Sequence, residues 1–117
     1  MFKQYDAGGA RSWEPIVSAY PRGQFSFSRG AIRQMQLKEG DAVVLFFDDE
    51  ENLIGIRKAK TDDNGSVKLS FRQDGSSALA SAKGFFSYFD ILPKETVQFI
   101  PEHMEDMGLY VLKPRKK

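Results

Sequence analysis

Residues 28–45 read SRGAIRQMQLKEGDAVVL, and 54 residues later residues 82–99 read AKGFFSYFDILPKETVQF. The two stretches align without a gap, and their apolar residues coincide through most of the alignment. A basic residue followed by glycine opens both stretches, as Arg29-Gly30 in the first and Lys83-Gly84 in the second. A match of this size predicts one small unit that was duplicated and folds against its copy.

Both copies have the same predicted order of elements, namely a strand, a short helix, a strand, a turn and a strand. In the first copy Ser28 is a suitable N-cap, and Gly40 suits a turn that requires a positive φ. In the second copy the helix is expected to turn Phe85, Phe86 and Phe89 inward. Residues 25–57 and 78–112 are therefore predicted to form two β-α-β-β repeats.

The predicted fold class is α+β, mostly β, with the two repeats forming an intrachain pseudo-dimer. Closing the combined sheet would remove exposed strand edges. Two architectures of this kind stay open, a swapped-hairpin-like barrel and a double-psi-like barrel. The 117 residues are expected to form a single domain, 1–117, because a chain of this length can bury one hydrophobic core.

The charge is unevenly distributed although the net charge is only +1. Residues 113–117 form a basic tail with four Lys or Arg residues, which leaves 13 basic and 16 acidic side chains on the rest of the chain. A strong nucleic-acid binder usually carries a larger basic excess. The composition therefore allows a local basic patch and a basic tail.

Residues 25–57, FSFSRGAIRQMQLKEGDAVVLFFDDEENLIGIR, resemble the AbrB/SpoVT family of swapped-hairpin domains. That family has a short strand, a Ser-x-Gly turn into a helix that ends in Leu-x-x-Gly-Asp, a Val-rich strand and a hairpin return. The matching residues are Ser28, Gly30, Leu37, Gly40, Asp41 and Val43. The chain departs from the family because it lacks the Arg/Ile-Pro stretch before the helix and carries two units. It also resembles uncharacterised bacterial proteins of this size with the same hairpin pattern.

The resemblance implies a non-enzymatic, cytoplasmic regulator that binds duplex DNA through basic residues at the strand-to-helix turns. The residues at those positions are Arg22, Arg29, Arg33 and Lys83. Guanidinium groups can contact phosphates bidentately or reach base edges. Solvated charges on exposed turns are the plainer interpretation of the same residues. The alternative function is a protein-interaction or assembly module, or a homo-oligomer, that acts through the Phe-rich second half without nucleic acid.

No catalytic residue, cofactor or metal site is predicted. The four carboxylates of residues 48–51 are neighbours at a hairpin tip and rarely converge on one ion, and the lone His103 has no nucleophile motif or second ligand nearby in sequence. No apolar run reaches the roughly 20 residues that span a bilayer, so no membrane partner is expected. Among the aromatic residues of the second copy, Tyr88 is the one expected to face solvent.

Overall fold

Eight strands and two seven-residue helices make up the part of the chain that the computed structural model describes, which is residue 2, residues 14–60 and residues 64–115. In chain order they are β1 (Val17–Tyr20), β2 (Gln24–Ser28), α1 (Arg29–Met35), β3 (Ala42–Asp48), β4 (Leu53–Lys58), β5 (Val67–Phe71), β6 (Ser77–Ser81), α2 (Lys83–Phe89), β7 (Val97–Met104) and β8 (Leu109–Pro114).

The strands close into one antiparallel barrel in the order β1-β2-β6-β5-β3-β4-β8-β7. Strands hold 46% of the described residues and helices 14%, so the fold is a mostly-β closed barrel. The predicted α+β class with two β-α-β-β repeats is therefore wrong. Helices of two turns are too short to form a layer against a sheet, and β1 and β5 pair into the same barrel as the strands of the predicted repeats.

The barrel order maps onto itself when β1 to β4 are exchanged with β5 to β8. The helices α1 and α2 lie 54 residues apart and end in the same way. Gln36 and Asp90 both adopt the left-handed conformation with a φ of 55°, and the N–H groups of Leu37 and Ile91 both donate 2.9 Å hydrogen bonds to the carbonyl five residues earlier. Each half is thus a hairpin, a helix and a second hairpin.

Ser28 fixes the start of α1, as its role as N-cap predicted. Its Oγ accepts hydrogen bonds from the N–H groups of Ala31 (3.2 Å) and Ile16 (2.8 Å) and donates one to the carbonyl oxygen of Glu14 (3.0 Å). Gly40 has the expected positive φ, 92°. The alternation of apolar residues along the strands fills the barrel. The largest fully buried side chains are Phe25, Phe27, Phe86, Ile56, Leu112, Val17 and Val43.

The last two strands differ from the sequence-based prediction. The sequence predicts a turn at residues 101–107, which begin with Pro101, but β7 continues through Pro101 to Met104. β1 pairs with β7 only from Val97 to Phe99, so Pro101 lies beyond the last paired residue on that side and its missing N–H costs no ladder bond. Of the predicted basic tail, residues 113–114 belong to β8, and Lys116 and Lys117 lie outside the described residues.

Candidate functional site

The two helices differ in how much of their apolar surface the barrel covers. On α1 the side chains of Ala31, Ile32 and Met35 are all buried, whereas on α2 Phe86 is the single buried residue. Phe89 is 36% exposed. The prediction that Phe85, Phe86 and Phe89 all point inward is therefore wrong for Phe89, and Phe85 is only partly buried.

Side-chain size at one position explains the difference. Ala31 is fully buried under α1, and the residue at the corresponding position of α2 is Phe85. A close-packed interior leaves no room for a phenylalanine ring in the place of a methyl group, and Phe85 is accordingly only partly buried. Phe86 still reaches the core, where its ring centroid lies 4.9 Å from that of Phe25.

Hydrogen bonds also anchor α1 to the second half of the chain. The hydroxyl of Tyr110 donates to the carbonyl oxygen of Gln34 (3.0 Å), and the Gln34 side chain donates to the carbonyl oxygen of Pro101 (3.5 Å). The residue of α2 that corresponds to Gln34 is Tyr88, which is 82% exposed, as the sequence predicted. Gln34 is exposed as well, so what distinguishes the two positions is that Gln34 is hydrogen-bonded to the barrel, whereas Tyr88 presents a large ring to solvent.

Four aromatic rings form a continuous surface that includes α2 and the end of β3. Phe89 lies at the centre, with ring centroids 4.8 Å from Tyr88, 5.1 Å from Phe47 and 5.4 Å from Phe85. We call these four residues the aromatic surface. Sequence reasoning missed the contribution of Phe47, because β3 and α2 are more than 30 residues apart in the chain and meet only in the folded barrel.

A groove of about 580 Å³ runs beside the aromatic surface, between α2, β3 and β5. Its walls include Leu45, Val67, Phe85 and Tyr88. Gly84 also lines the groove, and a Cβ on Gly84 would have no heavy atom within 4 Å. This volume is in the range of ligand and peptide sites, which are mostly apolar and concave. The helix face and the groove together offer apolar surface that the described residues leave uncovered.

Acidic residues border the aromatic surface where β3 and α2 end. Residues 48–51 are four consecutive carboxylates, all exposed, and Asp48 directly follows Phe47. One carboxylate oxygen of Asp48 accepts hydrogen bonds from the N–H groups of Glu50 (2.9 Å) and Glu51 (3.3 Å), which fixes the turn. Asp90, also exposed, directly follows Phe89. Negative charge is therefore concentrated at this end of the surface.

The predicted DNA-contacting residues fall at two places. Arg22 lies exposed in the β1–β2 turn, next to Gly23, whose backbone packs directly on Lys83. A Cβ on Gly23 would come within 2.9 Å of the Lys83 Cα, and the Ala82 N–H donates a 2.7 Å hydrogen bond to the Gly23 carbonyl oxygen. The fold therefore brings Arg22 and Lys83 to the same end of the β2–β6 pair.

Arg29 and Arg33 lie on α1, with both side chains exposed. α1 starts at the end of the β2–β6 pair where Ser28 opposes Ser77, whereas α2 starts at the other end, where Gln24 opposes Ser81. Arg29 and Lys83 thus occupy opposite ends of a five-residue strand pair, which is about 13 Å long at 3.3 Å per residue.

Within the described residues, no three His, Asp or Glu side chains are grouped so that they could hold a metal ion. Neither helix in that part of the chain has the length and apolarity needed to cross a bilayer.

The described residues thus form a closed antiparallel barrel in which one helix is packed and the other has an aromatic side that no described residue covers completely. The chain matches no protein-family model, and no curated protein or solved structure is similar enough to it to count as a match. The resemblance to the AbrB/SpoVT family accordingly stays a prediction.

Proposed function

We propose that this protein is a protein-interaction module that binds its partner through the aromatic surface on α2. The proposal depends on the exposure of Tyr88, whose ring contacts that of Phe89. Phe89 in turn contacts the rings of Phe47 and Phe85. A single exposed apolar residue needs no explanation, but contiguous apolar patches mark interaction sites. Aromatic residues are enriched at the buried centres of interfaces.

The physical chemistry of the rings supports this function. Tyr88 offers a large and rigid apolar body with a polar hydroxyl, so a partner can bury it without leaving a polar group unpaired. Truncating such an anchor at an interface typically costs about 2 kcal/mol or more of binding free energy. The buried ring of Phe86 holds α2 to the core through Phe25, so a partner can cover the exposed rings while the helix stays in place.

A photo-crosslinking experiment tests the proposal. A photoreactive phenylalanine analogue is placed at position 88, or at the corresponding α1 position 34, and the full chain is irradiated in an extract of its own cells. We expect polypeptide adducts at position 88 that fall at least fivefold when Phe89→Glu is added. Position 34 should give few adducts. Absence of adducts at position 88, or equal adducts at both positions, would rule the surface out.

DNA binding is a second candidate, because the Gly23–Lys83 contact brings Arg22 and Lys83 together at one end of the β2–β6 pair while Arg29 lies at the other. Cationic groups at both ends suit contacts to successive phosphates of a duplex, an attraction that weakens steeply with salt.

A mobility-shift assay at low salt tests DNA binding with the variants Arg22→Ala and Lys83→Ala, and with Lys113→Ala on β8 as the control. Arg22→Ala and Lys83→Ala should each lower, by about 1, the slope of the logarithm of the binding constant against the logarithm of the salt concentration. A chain that shifts no duplex at low salt contradicts DNA binding.

A further inference from the structure

We infer that the partner segment bound by the aromatic surface is a basic polypeptide stretch with aromatic or aliphatic anchors flanked by Lys or Arg. The inference rests on the proposed protein-interaction function and adds the chemical class of the partner. Two features of the described residues carry it, namely the charge that borders the surface and the size of the groove beside it.

The surface is bordered by negative charge at the end where β3 and α2 stop, whereas Lys83 lies at the start of α2. The 5.1 Å contact between Phe47 and Phe89 joins two chain segments that both continue into exposed carboxylates, residues 48–51 on one side and Asp90 on the other. A partner that lays an apolar side chain on these rings must place its neighbouring residues beside those carboxylates. Complementary charge there speeds association and selects the partner, and like charge is penalised. Phosphate backbones and acidic peptides are therefore disfavoured at this end of the surface.

The groove has the size of a peptide site. A volume of about 580 Å³ accommodates a few side chains. An interface between two folded domains is more extensive than such a groove, because it usually buries about 800 Å² on each partner. Gly84 presents no side chain to the groove, so the backbone of a bound segment can approach α2 closely at that point. A short segment with one or two large anchors fits this shape.

Fluorescence anisotropy with two labelled twelve-residue peptides tests the inference. The peptides share the same Phe and Leu anchors and differ only in carrying Lys or Glu at the remaining positions. At low salt the Lys peptide should bind the full chain at least tenfold more tightly than the Glu peptide. The preference should shrink as ionic strength rises, since exposed charges are screened over about 10 Å at 0.1 M salt.

Two sets of variants assign the binding to the groove and its acidic border. Gly84→Leu fills the groove at a position with open space, so it should keep the fold and weaken the Lys peptide at least tenfold. Asp49→Asn with Glu50→Gln should reduce the Lys preference at least threefold. The control Glu39→Gln with Glu102→Gln removes two exposed carboxylates elsewhere and should leave the preference unchanged.

Three results would overturn the inference: equal or tighter binding of the Glu peptide, a Lys preference that survives Asp49→Asn with Glu50→Gln, or Lys-peptide binding unaffected by Gly84→Leu. A concentration-dependent dimer that Gly84→Leu abolishes in sedimentation would assign the surface to a second copy instead. Adducts at position 88 without a Lys preference would leave the proposed function standing and remove only this partner class. Absence of adducts removes both.

Discussion

α1 and α2 occupy equivalent places in the barrel, begin 54 residues apart and both end in a residue with left-handed backbone conformation. Among the described residues, however, the barrel covers the apolar side of α1 and leaves much of that of α2 exposed. The differences are concentrated in side chains. Ala31, Gln34 and Met35 of α1 correspond to phenylalanine, tyrosine and phenylalanine on α2. The same backbone arrangement can therefore support a helix that packs into the core and a helix that presents an aromatic surface.

The first residues of the two helices also differ in their side chains. The side chain of Ser28 caps α1, whereas Ala82 offers α2 no side-chain hydrogen bond. The start of α2 is held instead by the close backbone contact between Gly23 and Lys83. The start of α1 is thus held by a hydrogen-bonded cap and the start of α2 by a glycine contact. Substitutions at Ser28 and at Gly23 can measure the two contributions to stability separately.

The largest expected effect comes from the buried anchors of the helices. Phe86→Ala should lower the free energy of unfolding by about 3–5 kcal/mol, because it empties a fully buried ring site. Phe89→Ala on the same helix should cost less than about 2 kcal/mol, since part of that ring already faces water.

On α1 the corresponding substitutions Ile32→Ala and Met35→Ala should each cost about 2–5 kcal/mol, because both side chains are buried. Urea denaturation of the four variants measures all of these differences. If Phe89→Ala proves as costly as Phe86→Ala, the two helices do not differ in packing and the comparison fails.

Loss of the α1 cap should have the next largest effect. Ser28→Ala removes all three hydrogen bonds of the hydroxyl and leaves the N–H of Ile16 without that partner, so we expect a cost of about 2 kcal/mol. Ser77→Ala, at the residue paired with Ser28 on β6, is the control and should cost less than about 0.5 kcal/mol. Equal unfolding free energies for the two variants would show that the cap does not stabilise α1.

The glycine contact at the start of α2 is tested by comparing two turns. Gly23 and Gly75 both have positive φ, at 86° and 72°, so alanine strains the backbone at either position. Only at Gly23 would the added methyl group also collide with Lys83, at 2.9 Å from its Cα. Thermal unfolding should therefore show Gly23→Ala to be about 1 kcal/mol or more less stable than Gly75→Ala. Equal losses of stability in the two variants would mean that the contact between Gly23 and Lys83 does not stabilise the fold.

The smallest expected effect is a titration in the β5–β6 turn. Hydrogen bonds from the Ser76 hydroxyl (2.7 Å) and N–H (3.0 Å) hold the pKa of Asp74 below its ordinary value of 3.8. This lowered pKa stabilises the folded chain above that ordinary value, and the contribution is lost as the pH falls through the folded pKa. In carboxyl NMR titrations Ser76→Ala should move the Asp74 pKa upward. An unchanged pKa would contradict the assigned hydrogen bonds.

Much of the local structure could be predicted because it depends on neighbouring residues. The alternation Val67, Leu69 and Phe71 defines one buried face of a strand, Ser28 is an N-cap, and Gly40 takes a positive φ. The pairing of strands could not be predicted in this way. Periodicity indicates which side of a strand is buried but not which strand lies beside it, so the β2–β6 and β1–β7 pairs that close the barrel were missed.

The candidate site also has one feature that could be predicted from local sequence and one that required the tertiary structure. The exposure of Tyr88 followed from its place on a short helix, but the joining of Phe47 to Phe89 required the fold. The sequence by itself determined the Ser28 cap, the buried faces of strands and the acidic hairpin tip, because these depend on residues a few positions apart. Only the tertiary structure decided that the barrel closes, that α1 packs while α2 stays partly uncovered, and that four rings meet beside those carboxylates. Contacts between distant residues, and the space left by Ala31 or taken by Phe85, set those outcomes.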